Sequence, residues 1–229
     1  LEAELEAELE ARKKQYEYYL DFLIENARDS VLTPMNDLCL FYNGDRGKNY
    51  PSSAEMVDAG VPFINAGDIN NGTVDITNCC MITFAKYRSL GGAKLCDNDI
   101  LYCLRGSIGK NGIFHGEYGA LASSLVAIRA NISVCSKYLY YLLNSTIERK
   151  QRVSSNNGAA QPNLSVSSLQ KYAFPVPSSE EQARIVSILD RFDALVNDIT
   201  QGLPAELAAR RRQYEYYRDK LLTFREKAS

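Results

Sequence analysis

Apolar residues recur at helical spacing near both ends of the chain. At the N-terminal end a four-residue unit, Leu-Glu-Ala-Glu, repeats through residues 1–10, and each residue type in it favours helix. Leucines and tyrosines between Leu1 and Leu23 fall on one stripe about 100° wide. The pattern predicts a single amphipathic helix of about 25 residues whose apolar stripe needs a partner helix. Its expected packing residues are Leu5, Leu9, Tyr16, Tyr19 and Leu20.

A second helical region occupies the C-terminal end. Ser178 and Glu181 have the spacing of a capping box, which marks a helix start, and apolar positions then keep helical spacing up to Ile199. Gly202 and Pro204 mark a break, after which the pattern predicts a last helix that ends near Arg225. The packing residues expected in this region are Leu189, Phe192, Tyr214, Tyr217 and Leu221.

The two helical ends share an internal repeat. Residues 12–19, Arg-Lys-Lys-Gln-Tyr-Glu-Tyr-Tyr, return at residues 210–217 as Arg-Arg-Arg-Gln-Tyr-Glu-Tyr-Tyr, 198 positions later. This period is too long for a solenoid, whose repeats run to about 50 residues at most. The repeat instead frames one module, as if the chain were one unit of a longer alternation of helix and globule.

Between the helical ends the pattern changes to that of a sheet. Short apolar runs separated by Gly and Asn indicate strands and tight turns, as at Val61–Ile64, Ile100–Leu104 and Leu125–Ile128. A helix opened by Ser133 or Ser136 follows, and then a polar loop at residues 154–163. The pattern predicts an α+β fold. It consists of one mixed, mostly-β domain with a helical region on each side, with boundaries at residues 1–29, 30–178 and 179–229.

Charge is unevenly distributed along the chain. The 229 residues carry 26 basic and 28 acidic side chains, a net charge of −2, so the total lacks the basic excess of a typical nucleic-acid-binding protein. The charge sums to −5 over residues 1–29, +3 over 30–178 and 0 over 179–229, so the middle is the basic part. No apolar stretch approaches a membrane span and no leader pattern is present, so we expect a cytoplasmic protein without membrane contact.

The residue patterns of common catalytic sites are missing. Six cysteines form no Cys-x-x-Cys pair and His115 is the single histidine, which argues against a metal site. Gly106–Lys110 is too short for a phosphate-binding loop and Asn111 follows where Ser or Thr is required, so a tight turn between strands is expected. We therefore expect a binding protein with no catalytic residues.

Several strings resemble the conserved regions of type I restriction-modification specificity subunits. They are the repeated Gln-Tyr-Glu-Tyr-Tyr helix, Gln161–Leu164, the passage from Phe174 into Glu181–Val186, and Gly202–Glu206. Two further passages, Val61–Ile69 and Asn98–Lys110, resemble the target recognition domain of that family. The resemblance extends over nearly the whole chain.

The resemblance implies a division of labour. Residues 30–178 would be a target recognition domain, and the helical ends would pair as an antiparallel coiled-coil spacer. Full-length family members carry two recognition domains, whereas this chain shows one, so it looks like a half subunit. Two copies would associate through their helices and read an interrupted palindrome on double-stranded DNA.

The resemblance also implies partners and cofactors. Methyltransferase subunits, and restriction subunits through the complex, are the expected protein partners in a bacterial or archaeal cytoplasm. S-adenosylmethionine, ATP and Mg²⁺ are expected only in those partner subunits, and no cofactor is expected in this chain.

The Leu-Glu-Ala-Glu repeat has a length that suits a spacer. One unit lengthens a helix by about 6 Å, at ~1.5 Å per residue, which is close to two base pairs of B-DNA at ~3.4 Å each. The helix is therefore interpreted as a ruler for the distance between half-sites. A solvated coiled-coil stretch without a measuring role is the alternative.

Reading bases requires basic and amide side chains on loops that reach base edges, while other cations hold phosphates. The candidates lie on the loop that begins at Asn43, at residues 86–88, at residues 105–110 and in the polar loop. They are Arg46, Lys48, Asn49, Tyr50, Lys86, Tyr87, Arg88, Arg105, Ser107, Lys110, Asn156, Asn157 and Gln161. Those in the polar loop are equally well explained as turn formers. The alternative function is a helical adaptor that binds methyltransferase subunits without reading DNA.

Overall fold

The computed structural model describes residues 2–47, 50–155, 163–197 and 203–222. The chain forms two compact units, one of Leu23–Val186 and one of Leu1–Phe22 with Ser187–Ser229. The helices are α1 (Glu2–Glu25), α2 (Met35–Leu38), α3 (Phe84–Ser89), α4 (Ser136–Asn144), α5 (Thr146–Ser155), α6 (Val166–Leu169), α7 (Ser179–Asn197) and α8 (Leu203–Leu222).

The strands of the unit Leu23–Val186 form three sheets within the described residues. In chain order the strands are β1 (Val31–Pro34), β2 (Cys39–Asn43), β3 (Met56–Val57), β4 (Val61–Ile64), β5 (Ile69–Asn70), β6 (Thr73–Val74), β7 (Cys80–Ile82), β8 (Ile100–Cys103), β9 (Asn111–Ile113), β10 (Ala120–Leu121), β11 (Leu125–Ala130) and β12 (Ala173–Val176). The main sheet has the order β2-β11-β8-β9-β6-β5, a second has the order β10-β4-β7-β3, and β1 pairs with β12.

The main sheet owes its order to a long central strand. β11 is antiparallel to both β2 and β8, with Val126 opposite Asn43 and Leu125 opposite Cys103. Its first four residues are buried, which is typical of a strand covered on both faces. The carboxylate of Asp99, fully buried at the start of β8, accepts two 2.8 Å hydrogen bonds from Arg129 of β11. This two-bond ion pair gives β8 and β11 a polar link beside the apolar core.

The structure confirms the predicted α+β fold. β4 has the predicted bounds, α4 begins at Ser136, and residues Gly106–Lys110 form the predicted turn between the antiparallel strands β8 and β9. One prediction was wrong: residues 154 and 155, assigned to the polar loop, end helix α5. The predicted boundaries at residues 30 and 178 and the antiparallel coiled coil stay predictions.

Within the described ranges, no helix combines the length and the apolar character that crossing a membrane requires.

Candidate nucleic-acid interface

Two candidate loops leave the main sheet at the same end. Because β2 and β8 are both antiparallel to β11, each ends beside the start of β11, where Leu125 begins that strand. Neighbouring strands lie about 4.8 Å apart, so the ends of β2 and β8 are about 10 Å apart. We call this end of the sheet, with residues 44–47, 88–93 and 104–110, the loop end. It brings together candidates from three separate parts of the sequence.

The loop after β2 is anchored by a buried carboxylate. Asp45 is buried, and its Oδ1 accepts hydrogen bonds from the backbone N–H groups of Gly91 and Gly92, both at 3.0 Å. A side chain at Gly92 would place a Cβ 2.5 Å from the Asp45 carboxylate, so this approach requires glycine. Arg46 follows the anchor directly and is exposed, with no ion pair among the described residues.

The same loop carries one aromatic candidate and two polar candidates. Tyr50 is partly exposed and packs edge-on against Phe63, with ring centroids 5.3 Å apart. Its ring therefore has a structural contact and an open face. Lys48 and Asn49 lie outside the described residues.

The run at residues 86–88 contains one accessible cation. The ammonium of Lys86 lies 3.2 Å from a Glu55 carboxylate oxygen and its side chain is only 10% exposed, so its charge is already neutralised. Tyr87 is half-buried, and the Lys94 ammonium lies 4.2 Å from its ring centroid in a cation–π contact. Burial raises the pKa of Tyr87. Arg88 is exposed and has no ion pair among the described residues, which makes it the more accessible of the two cations in this run.

The turn between β8 and β9 requires its glycines. Gly106 and Gly109 have φ of +72° and +91°, a backbone conformation that residues other than glycine rarely adopt. The turn exposes Ser107, while the ammonium of Lys110 donates to the Ala66 carbonyl at 3.1 Å. Arg105 is half-exposed, and its Nε donates to the Asn163 side-chain oxygen at 3.2 Å.

A buried network lies under this turn. The Tyr102 hydroxyl donates to the buried carboxylate of Glu148, and Arg152 donates to the same carboxylate at 2.9 Å. Burial raises the pKa of Glu148, and the bonds from Tyr102 and Arg152 oppose that rise. A Cβ at Gly109 would lie 2.8 Å from the Arg152 guanidinium carbon, so the guanidinium packs directly against the turn.

Sequence reasoning missed Glu148, Arg152 and Asn163. The first two are four residues apart on α5, the spacing of a helical ion pair, so the signal was present but fell where a helix was only partly recognised. Asn163 pairs with Arg105 across 58 residues, which no local pattern marks. Asn156, Asn157 and Gln161, in the segment just before it, lie outside the described residues.

Aromatic and ionic contacts join helices within the unit of Leu1–Phe22 and Ser187–Ser229. Tyr19 stacks on Phe192 with ring centroids 5.2 Å apart, and Arg211 donates to the Glu6 carboxylate. Leu20 and Leu189 are buried, whereas Leu9 and Tyr16 are half-buried. The counterpart tyrosines of the repeat, Tyr214 and Tyr217, are 62% and 53% exposed. The side chains of Leu5 and Leu221 lie outside the described residues.

Three carboxylates at or near the loop end are already bonded. Asp45 accepts from backbone N–H groups, Glu55 pairs with Lys86 and Glu148 pairs with Arg152. No group of three or more His, Cys, Asp or Glu side chains in the described ranges could hold a metal. Anchored loops whose exposed or half-exposed arginines form no ion pair among the described residues are the arrangement of an anion-binding surface.

Comparison with known proteins gives the family. A model of the type I restriction modification DNA specificity domain matches residues 30–209. The chain is 33% identical over 238 residues to the EcoR124I/EcoR124II specificity subunit of Escherichia coli, covering 98% of this chain and 56% of that protein. It is 30% identical over 234 residues to a putative type I specificity subunit of Mycoplasma pneumoniae, covering 96% of this chain and 79% of that protein. The chain belongs to the type I restriction-modification DNA specificity family.

A solved structure supports the fold. The HsdS subunit from Thermoanaerobacter tengcongensis superimposes with a TM-score of 0.65 at 18% identity, over 86% of this chain and 46% of that one. The chain spans just over half the length of the Escherichia coli relative.

Proposed function

We propose that this chain reads the DNA target of a type I restriction-modification system through the loop end of its main sheet. The observation that carries the proposal is the convergence of Arg46, Arg88 and Arg105 on one end of a sheet whose nearby carboxylates are already bonded. Membership of the DNA specificity family supports it. The chain itself performs no catalysis in this proposal.

The geometry suits contact with a duplex. A guanidinium can donate two parallel hydrogen bonds to guanine O6 and N7 in the major groove. Anchors such as Asp45 reduce the motion that an exposed arginine would lose on binding. The separation of about 10 Å between the ends of β2 and β8 corresponds to about three base pairs at ~3.4 Å each. One domain would therefore read a short half-site.

A complete reader requires two such domains in this proposal. The chain covers 56% of the length of the Escherichia coli relative, which fits one half of a two-domain arrangement. Two copies joined through their helices would place two loop ends about a two-fold axis, and a symmetric reader recognises an interrupted palindrome. The Leu-Glu-Ala-Glu repeat would set the spacer between half-sites.

Partners supply the chemistry. Methyltransferase subunits would bind this chain and carry S-adenosylmethionine, and restriction subunits would carry ATP and Mg²⁺. We place the assembly in the cytoplasm of a bacterium or archaeon.

Selection from randomised duplexes tests DNA reading. The full chain with its methyltransferase partner is expected to enrich a bipartite motif. Arg46→Ala should relax one position of that motif and lose on the order of 1–3 kcal/mol for the cognate site if Arg46 reads a base. Enrichment of no motif by a complex that still binds the methyltransferase would overturn DNA reading and support the adaptor alternative.

The repeat offers a test of self-association. Tyr214 and Tyr217 are exposed in the single chain, whereas the matching Tyr19 stacks on Phe192. A Tyr214→Ala and Tyr217→Ala variant should therefore keep its helix content by circular dichroism and lose dimerisation in analytical ultracentrifugation. Tyr18→Ala, an equally exposed tyrosine in α1, serves as the control and should dimerise normally. An unchanged dimer in the double variant would exclude this face as the interface.

A further inference from the structure

A basic pocket lies outside the loop end. It has a volume of about 490 Å³ and is formed by α5 and by the segment that runs from α6 toward β12. The side chains used below are Lys150, Ser154, Ser155, Ser168, Lys171 and Tyr172. None of the described residues that line it is acidic. Its walls therefore offer two positive charges and several hydroxyl groups to an anion.

The walls of the pocket are held together by a side chain between them. Gln151 of α5 accepts a hydrogen bond from the backbone N–H of Ala173 at 2.8 Å and donates to the Ala173 carbonyl at 3.1 Å. This pair of bonds links α5 to the first residue of β12. The pocket is open to solvent, and these bonds hold its two walls in a fixed relation.

Tyr172 contributes a buried hydroxyl to this wall. The side chain is 2% exposed, and its hydroxyl interacts with the hydroxyl of Ser155, which itself donates to the Gln151 carbonyl. Each hydroxyl has one proton to donate, so a bound anion would compete with the present acceptors for it.

The serines can also turn toward an anion. Ser154 and Ser155 donate to the carbonyls of Lys150 and Gln151, one turn back along α5, both at 2.9 Å. Such bonds compete with other acceptors, and a bond to an ionised acceptor is about twice as strong as a neutral one. Both hydroxyls are exposed and able to exchange their carbonyl for a charged oxygen.

The pocket is connected to the loop end through α5. Arg152, on the same helix as Lys150 and Ser154, packs its guanidinium against Gly109 of the β8–β9 turn. Residues two apart on a helix do not face the same way, so Arg152 and the pocket residues Lys150 and Ser154 lie on different faces of α5. The helix thus joins the turn to the pocket, and the proposal requires a duplex on the turn to extend past α5.

We propose that the pocket of Lys150, Lys171 and Tyr172 binds one phosphate group of the DNA backbone. The proposal rests on the proposed function and adds a positioning contact to it. Lysine binds phosphate as a point charge, and two lysines line this pocket. Hydroxyl donors from two walls also fit oxygens that point in several directions.

Charge removal gives the first test. The full chain is titrated with cognate and random duplexes between about 50 and 200 mM salt, where phosphate contacts dominate the salt dependence. A Lys150→Gln and Lys171→Gln variant should lose the same factor in affinity for both duplexes. The slope of log K against log salt should fall in magnitude by about 1, the value for one phosphate contact. Because both lysines contact the same phosphate in this proposal, the slope for the double variant should not fall in magnitude by about 2.

Arg149→Gln is the matched control. Arg149 is exposed and adjacent to Lys150 on α5, but it does not line the pocket. An equal loss of slope in the control would show a diffuse electrostatic effect and overturn the pocket.

Tyr172→Phe gives the second test. Removal of the hydroxyl leaves the aromatic ring in place, so it should change the melting temperature of the free chain little while it weakens DNA binding. If the hydroxyl had a purely structural role, its removal would lower both the melting temperature and the DNA affinity. A variant that binds DNA like the wild type overturns the role of Tyr172.

The outcomes separate this proposal from the proposed function. If the wild-type chain and its methyltransferase complex bind no duplex, the proposed function fails. If they bind DNA and the lysine variant keeps both affinity and slope, the pocket alone fails. Loss of methyltransferase binding with unchanged DNA affinity would assign the pocket to an acidic protein surface and overturn the phosphate.

Discussion

The two arginine-bearing loops at the loop end are held by different chemistry. The loop with Arg46 is fixed by Asp45, whose carboxylate accepts hydrogen bonds from the uncharged backbone N–H groups of Gly91 and Gly92. The turn with Arg105 lies over Glu148, whose carboxylate faces the cation of Arg152 and the Tyr102 hydroxyl. Asp45 thus adds a negative charge next to Arg46. The negative charge of Glu148 is balanced by Arg152 and does not offset the charge of Arg105.

This difference assigns different tasks to the two arginines. Arg46 and Asp45 together are neutral, so the Arg46 loop adds little general attraction for phosphates and gains most from specific bonds to base edges. The turn with Arg105 carries a net positive charge, since Glu148 and Arg152 cancel. The turn is therefore expected to supply more of the sequence-independent affinity.

The largest expected effect is the loss of the anchor under the turn. Glu148→Ala leaves the Arg152 guanidinium and the buried Tyr102 hydroxyl without their acceptor, and removing one partner of a buried pair costs about 3 kcal/mol. Urea denaturation of the full chain measures the loss. Glu148→Gln, which keeps an acceptor oxygen for Tyr102, should lose much less. Equal losses in the two variants would show that the side chain acts by packing alone.

Removal of the other anchor should cost less. Asp45→Ala leaves two backbone N–H groups unpaired, and hydrogen bonds to a charged acceptor contribute about 2 kcal/mol. Because these bonds hold a surface loop, backbone amide hydrogen exchange should become faster at residues 44–47 and 91–93. The amides of the main sheet should keep their protection. Asp45→Asn keeps an acceptor oxygen and serves as the control. A loss in Asp45→Ala as large as that in Glu148→Ala would break the distinction between the anchors.

Local patterns predicted one of these loops better than the other. The β8–β9 turn was predicted, because Gly106 and Gly109 sit between two apolar runs and the hairpin forms from neighbouring residues. The anchor of the Arg46 loop could not be predicted, since Asp45 meets Gly91 across 46 residues. Only the folded sheet brings these segments together.

The same limit applies to the candidate site. Lys86 looked equivalent to Arg88 in the sequence, but Glu55, 31 positions earlier, neutralises it in the structure. Tyr19 and Tyr217 occupy equivalent positions of an identical string and differ in environment, because Phe192 covers only the first among the described contacts. Composition identified the charged side chains, while pairing at long range decides which of them face solvent.

Alanine substitutions at two glycines of the turn distinguish the cost of backbone strain from the cost of contact with Arg152. Gly106→Ala and Gly109→Ala both place a side chain at positive φ, which costs about 1–2 kcal/mol. Nothing lies within 4 Å of the Cβ at Gly106, whereas the Cβ at Gly109 would meet Arg152 at 2.8 Å. Gly109→Ala should therefore destabilise the chain more than Gly106→Ala does, because the Arg152 guanidinium must shift away from its bonds to Glu148. The excess should vanish in an Arg152→Ala background, and its persistence there would show that Arg152 is not the obstacle.

The smallest expected effect is a pH dependence that comes from Glu148. Burial raises the pKa of Glu148 above its ordinary value of 4.5, so the folded chain binds this proton more tightly than the unfolded chain does. The contribution of Glu148 to the free energy of unfolding is therefore fully present below pH 4.5 and declines as pH rises through the raised pKa. Glu148→Gln should remove this decline, which urea denaturation at a series of pH values measures. Glu117→Gln, the same change at an exposed carboxylate, should keep the wild-type profile. An unchanged profile in Glu148→Gln would mean that the bonds from Tyr102 and Arg152 fully offset the burial of the carboxylate, and the two anchors would then differ in geometry alone.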